Sequence, residues 1–160
     1  MKILIASAVL TASAALSAAA ADLTAMKAFA FETAPTAKAG AAYVSVMTNG
    51  PDDRLLGAKS PAARRIEIHT HIADGDVMRM RPVKEPLPLS AGEPIRMAPG
   101  GVHIMLMGLN APLVKGAPIP ITLVFETAGE IAFDVPVIER QAHGGGHSGH
   151  SGHSGHSSGD

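Results

Sequence analysis

A chain of 160 residues with 13 Lys and Arg against 14 Asp and Glu, no Trp, one Tyr and four Phe has neither the basic surface nor the stacking platforms that a nucleic-acid partner needs. Cysteine is absent, which excludes thiol catalysis, disulfide exchange, thiolate metal sites and the Cys-ligated copper of blue electron-transfer proteins. What remains is a near-neutral chain of one domain's length whose eight histidines are the main chemical resource.

The chain opens on MKILIASAVLTASAALSAAAAD, in which Lys2 precedes an apolar and small-residue stretch from Ile3 to about Leu16 and an A-x-A site at Ala19-Ala20-Ala21. This is the pattern of a secretory signal, residues 1–21, cleaved after Ala21. Its strongly apolar part falls short of the roughly 20 residues a spanning helix needs. The expected mature chain begins at Asp22 in the periplasm, without stable membrane insertion. Loss of Lys2 leaves it 12 basic and 14 acidic residues, a formal charge of −2 with His neutral.

From Leu23 to about Arg140, short segments rich in Val, Ile, Leu and Thr are separated by Gly, Pro, Asn and Asp, with no sustained helical period. Such spacing predicts short strands in a sandwich or barrel. Strands are predicted near 23–32, 42–48, 54–59, 65–72, 77–83, 95–97, 102–107, 119–126 and 131–138. Turn signals between them include Asn49-Gly50-Pro51, Asp74-Gly75-Asp76, Pro99-Gly100-Gly101 and Lys115-Gly116. The run from Ala34 to Ala41 and the proline-rich run from Lys84 to Gly92 read as loops. The expectation is one all-β domain, residues 22–140, folded as an antiparallel β-sandwich. After Arg140 the composition changes to QAHGGGHSGHSGHSGHSSGD, a Gly/Ser/His tail over residues 141–160 with too little apolar surface to fold, so disorder is expected there.

The chemistry lies in RRIEIHTHIADGDVMRMRPV, which starts at Arg65, and in PGGVHIMLMGL, which starts at Pro99. Alternate side chains of a strand share a face, so His69 and His71 group together, as do Met78 with Met80 and His103 with Met105 and Met107. Imidazole accepts Cu, Zn, Fe or Ni, whereas a neutral thioether selects Cu(I). A lone Met in a strand is usually a gap-filler, so Met26 and Met97, and also Met78 and Met107, read as packing residues. The combination H-x-M directly after a Gly-Gly turn moves His103 and Met105 out of that class. The residues alone leave a zinc enzyme open, with His69, His71 and His103 as three imidazoles and water in a fourth position. Against it, Glu67, Asp74 and Asp76 have no evident placement as a general base.

These residues resemble the periplasmic copper chaperones called PCu(A)C, whose signature is a His, ten residues, a Met, about 21 residues and H-x-M. Ten residues separate His69 from Met80, and 22 separate Met80 from His103, one more than the usual pattern, assigned to the loop from Lys84 to Gly92. VMRMRPV, APGGVHIMLMGLNAPLVKG and GAAYVSVMTNGPDDRLLGAKSP extend the likeness over most of the mature body. Position 71 departs from it: relatives often have Met there, and this chain has His71, which becomes a candidate additional ligand. The resemblance implies a cupredoxin-like β-sandwich that carries Cu(I) on His69, Met80, His103 and Met105 and is not an enzyme. It also implies delivery of copper to the binuclear centre of cytochrome c oxidase subunit II, alone or with Sco-type proteins. Copper storage for periplasmic tolerance uses the same coordination and stands as the alternative.

In the tail, His147, His150, His153 and His156 recur every third residue, with His143 upstream. Imidazoles on a Gly/Ser chain wrap Cu(II), Zn(II) or Ni(II), and the Irving–Williams order favours Cu(II). HSG units differ from the unbroken His run of a purification tag, so the tail is read as a Cu(II) collector.

Overall fold

The computed structural model describes residues 23–140. The signal, the tail and the boundaries given for them lie outside the described residues. Ten strands form two sheets: β1 Leu23–Phe31, β2 Ala39–Thr48, β3 Asp53–Lys59, β4 Ala63–Asp74, β5 Val77–Pro82, β6 Leu87–Leu89, β7 His103–Leu109, β8 Ile119–Phe125, β9 Glu130–Val135 and β10 Val137–Ile138. The strand order is β10-β1-β2-β7-β4-β5 in the larger sheet and β6-β3-β8-β9 in the smaller. This is the all-β sandwich that the strand spacing predicts, with the cupredoxin-like fold that the resemblance implies. One pairing departs from the antiparallel rule, since β10 runs parallel to β1.

The core lies where the two sheets face each other. In β8, Ile119, Ile121, Leu123 and Phe125 are buried at strict alternation. Ile104 and Leu106 of β7 and Val44 and Val46 of β2 meet them with no exposed surface. Asp53 ties the β8–β9 turn to β3: its carboxylate accepts backbone N–H bonds from Thr127, Ala128 and Arg54 at 2.7 to 2.9 Å. Burial pushes the Asp53 carboxyl upward, but those backbone donors outweigh it and hold the group below the usual carboxylate value.

Four expectations are corrected. Residues 95–97 are not a strand; Ile95 exchanges one pair of backbone bonds with Val46, and Ser45 Oγ both donates to the Met97 carbonyl and accepts from its N–H. Pro94 and Pro99, which lack N–H donors, bracket that segment and stop the ladder. The expected proline-rich loop contains β6, which pairs with Asp53–Leu55 and buries Leu89. The last predicted strand is divided by Pro136 into β9 and β10, which join different sheets. Met97 is buried, but Met26 is half exposed because it is the extra residue of a bulge between Ala25 and Lys27, and Met78 is exposed on the edge strand β5.

Candidate metal centre

The β4–β5 hairpin closes through Gly75-Asp76, with Gly75 at φ 64°, a conformation open to glycine at no steric cost. This two-residue connection sets the register that places His71 opposite Met80. On the other side of β4, His69 stands opposite His103 and Glu67 opposite Met105. Partners opposite each other in a ladder share a face, so His69, His71, Met80, His103 and Met105 all lie on the side of the larger sheet turned away from the core.

His103 is buried, and its Nδ1 lies 2.9 Å from the Gly101 carbonyl. A carbonyl can only accept, so Nδ1 carries the proton and Nε2 of the neutral ring keeps its lone pair. Burial, reinforced by the neighbouring imidazoles and opposed by that carbonyl, pushes the His103 pKa below the usual imidazole value. The turn that supplies the carbonyl is closed by bonds from Gly101 N–H to Ala98 and from Ala98 N–H to Val102, and Gly100 within it has φ 81°.

His69 is oriented by an acid. Its Nε2 lies 2.8 Å from Glu67 Oε2, so Nε2–H donates and Nδ1 retains the lone pair; that Nδ1 is buried without a hydrogen-bond partner. The hydrogen bond from His69 holds the Glu67 carboxyl below its usual value, with a smaller contribution from Arg65. Nδ1 of His71 is likewise buried and without a partner. A carbonyl or carboxylate behind an imidazole, with the far nitrogen free, is the usual support of a metal-ligating histidine.

The three rings are close enough to share an ion in pairs. Ring centres are 6.0 Å apart for His69 and His103 and 5.3 Å for His71 and His103. Two imidazoles bound to one tetrahedral ion at about 2 Å per nitrogen sit roughly 5–6 Å apart. Among the described residues no three His, Asp or Glu side chains form a group able to hold a metal by themselves. Thioether sulfur of Met80 and Met105 is the other donor type on this face.

A cavity of about 370 Å³ is lined by His71, Met80, His103 and Met105 together with Tyr43, Phe31 and Arg140. His69 is not part of that lining. The cavity's aromatic wall is Tyr43 with Phe31 packed edge-on to it; Phe29, outside the lining, stacks on Tyr43 with ring centres 4.7 Å apart and meets Phe31 edge-on. Met107 lies outside the cavity, and its sulfur accepts a bond from Arg65 Nη2 at 3.2 Å. The sequence suggested Glu67 only as a general base, not as the support behind His69, and did not point to Arg140. Alternation places Glu67 beside His69, so its supporting position was readable; nothing in the sequence signals that Arg140 returns to this face.

Comparison with known proteins gives this geometry a context. The family model described as "Putative lipoprotein LpqE-like" matches residues 15–137. The chain belongs to the LpqE-like family. A relative from Leifsonia xyli subsp. xyli (strain CTCB07), named "Putative lipoprotein Lxx21020", is 37% identical over 98 residues, 61% of this chain; the chain spans 59% of that curated relative's length. Among solved structures, the apo PCuAC domain from PmoF1 is similar with a TM-score of 0.63 and 25% identity, covering 74% of this chain and 95% of the domain. The solution structure of apo-DR1885 from Deinococcus radiodurans gives a TM-score of 0.59 at 26% identity over 88% of this chain and 96% of that one. The CuI form of DR1885 gives 0.57 at 26% identity over 78% and 85%. The word lipoprotein belongs to the names of the LpqE-like family and of the Leifsonia xyli relative.

Proposed function

We propose that this protein is a copper carrier, exported to the periplasm, that holds Cu(I) on His69, Met80, His103 and Met105, with His71 as an additional imidazole on the cavity side. The observation that carries the reading is the register of β4 with β5 and β7, which gathers two thioethers and three imidazoles on one face, two of those imidazoles with a free nitrogen backed by Glu67 or by Gly101. Neutral soft sulfur selects Cu(I) over zinc. The PCuAC fold of the neighbours, one of which is a CuI structure, supports the same cargo. The names of the family and its relative support export.

Transfer is ligand exchange, and the geometry suits it. Met80 is 44% exposed on an edge strand, so an acceptor's thiolate can reach the ion from the β5 side. Neutral ligands leave the ion's charge uncompensated, and a thiolate acceptor binds it more tightly. The binuclear centre of cytochrome c oxidase, with or without a Sco-type intermediary, is the proposed destination. The tail histidines His143, His147, His150, His153 and His156 are proposed to collect Cu(II) and to raise the copper concentration near the domain.

Anaerobic Cu(I) titration of a chain ending at Arg140 should show one tight equivalent, weakened at least a hundredfold by Met80→Ala or Met105→Ala. A preference for Zn(II) that is indifferent to both changes would sink the proposal. His69→Ala and His71→Ala, made singly, rank the two imidazoles. Cu(II) stoichiometry should fall in the shortened chain relative to the full one while Cu(I) stoichiometry holds.

A further inference from the structure

The β4–β5 hairpin carries a thioether that packing does not explain. Met78 is 60% exposed, against 44% for Met80, and it lies on β5, an edge strand of the larger sheet whose six residues are all exposed. Register sets it opposite Ala73, an exposed residue whose single methyl offers little to pack against. Val77 and Arg79, one step out of phase, stand opposite Asp74 and Ile72 on the other face of the hairpin.

Met78 is instead a neighbour of the metal centre. Two residues along one strand separate it from Met80, about 6.6–6.8 Å between Cα atoms, and two unbranched, flexible side chains can close that gap to one ion. His71 stands directly opposite Met80, which makes Met78 its diagonal neighbour at about 7–8 Å, within reach of a long side chain. Nδ1 of His71 is buried without a hydrogen-bond partner, so the ring has a nitrogen to offer. Two thioethers and one imidazole thus meet at the outer end of the metal face, and soft neutral sulfur selects Cu(I). Exposure of the thioethers rises outward, from half-buried Met105 through Met80 to Met78.

We propose that Met78, with His71 and Met80, forms an outer Cu(I) position through which the ion enters and leaves the site, and that Met78 is its exchange ligand. The proposal rests on the reading of the cavity as a Cu(I) site. In the step, a lone pair of Met78 Sδ forms a bond to the ion as the bond from Met105 Sδ breaks, while His71 and Met80 hold on. Copper stays Cu(I), and no proton or electron moves. An acceptor's thiolate then displaces Met78 at the most exposed point of the face. Because Met78 holds the ion only in passage, its loss raises the barrier in both directions and leaves the resting affinity, the ratio of the two rates, nearly intact.

The test uses the full mature chain without oxygen, as the parent and as the Met78→Leu, Met78→Ala and Val77→Ala variants. Stopped flow follows removal of one equivalent of Cu(I) by dithiothreitol and loading from its bathocuproine disulfonate complex; competition with the same chelator gives the affinity. Met78→Leu keeps the apolar bulk and removes the sulfur. It should slow removal and loading each about tenfold. Its Kd should change less than about threefold. Met78→Ala should match it, and Val77→Ala, 56% exposed in the parent but on the other face, should match the parent. In the parent with ¹³C-labelled methionine methyls, the Met78 signal should move with that of Met80 as Cu(I) is added. Parent-like rates in Met78→Leu overturn the proposal, and so does slowing by Met78→Ala alone, which makes Met78 an apolar contact. An affinity loss as large as that of Met80→Ala makes Met78 a resident ligand and overturns its role in exchange. In each of these cases Met80 and Met105 methyl signals that respond to Cu(I) preserve the Cu(I) reading; if neither responds, both fall.

Discussion

On β7, Ile104 and Leu106 are fully buried against the smaller sheet, while His103, Met105 and Met107, one position out of step, look away from it. The same division runs through β4, where Ile68 is buried against the core and Glu67, His69 and His71 occupy the opposite side. On the inner face these side chains are buried in the hydrophobic core. The outer face instead holds imidazole nitrogens without partners and a half-exposed thioether. A sheet with a period of two can thus devote one face to stability and the other to ligand chemistry, with little interference between them.

That separation can be attacked from either face, and the inner face should give the largest effect. Leu106→Ala removes a fully buried side chain and should lower the unfolding free energy by about 3–4 kcal/mol in urea denaturation. Cu(I) affinity of the protein that remains folded should change only a few-fold. Met80→Ala should do the reverse, reducing Cu(I) affinity about a hundredfold, or about 2.7 kcal/mol. Because Met80 is 44% exposed, apo stability should move by less than about 0.5 kcal/mol. Comparable losses of stability and affinity in either variant would break the comparison.

Asp53→Ala, far from the metal face, should cost about 2 kcal/mol by stranding backbone N–H groups of Arg54, Thr127 and Ala128. The sign of its pH dependence follows from a folded-state pKa held below the ordinary value. The contribution is fully present above about pH 3.9 and is lost as the pH falls through the folded-state value, so the variant's stability should decline less steeply in acid than the parent's. Denaturation midpoints between about pH 5 and 2 check this. The smallest expected effect belongs to Glu67→Gln, which weakens the support behind His69 Nε2 and should reduce Cu(I) affinity about tenfold without changing apo stability. Cu(I) affinity equal to the parent's would mean that His69 does not hold the ion.

Local periodicity made much of this legible. Alternation in IEIHTHI and HIMLM sorts inner from outer side chains before any fold is known, and turn residues such as Asp74-Gly75-Asp76 mark where strands end. Residues 95–97 misled because Ile95-Arg96-Met97 satisfies the apolar–polar–apolar alternation of a strand, while the flanking prolines and a single bridge to Val46 leave no ladder to join. Met26 misled because a bulge shifts the period by one residue, and no composition signal announces a bulge.

By itself, then, the sequence determined the all-β class, the absence of any thiolate ligand and the set of imidazoles and thioethers available, because each follows from residue type and from a period of two along one strand. Only the tertiary structure decided which of two same-face histidines lines the cavity, which nitrogen of His69 and His103 stays free, and that Arg140, two residues past β10, lines the same cavity. Those depend on register between strands distant in sequence and on which carbonyl or carboxylate lies behind each ring, and contacts of that range have no local signature.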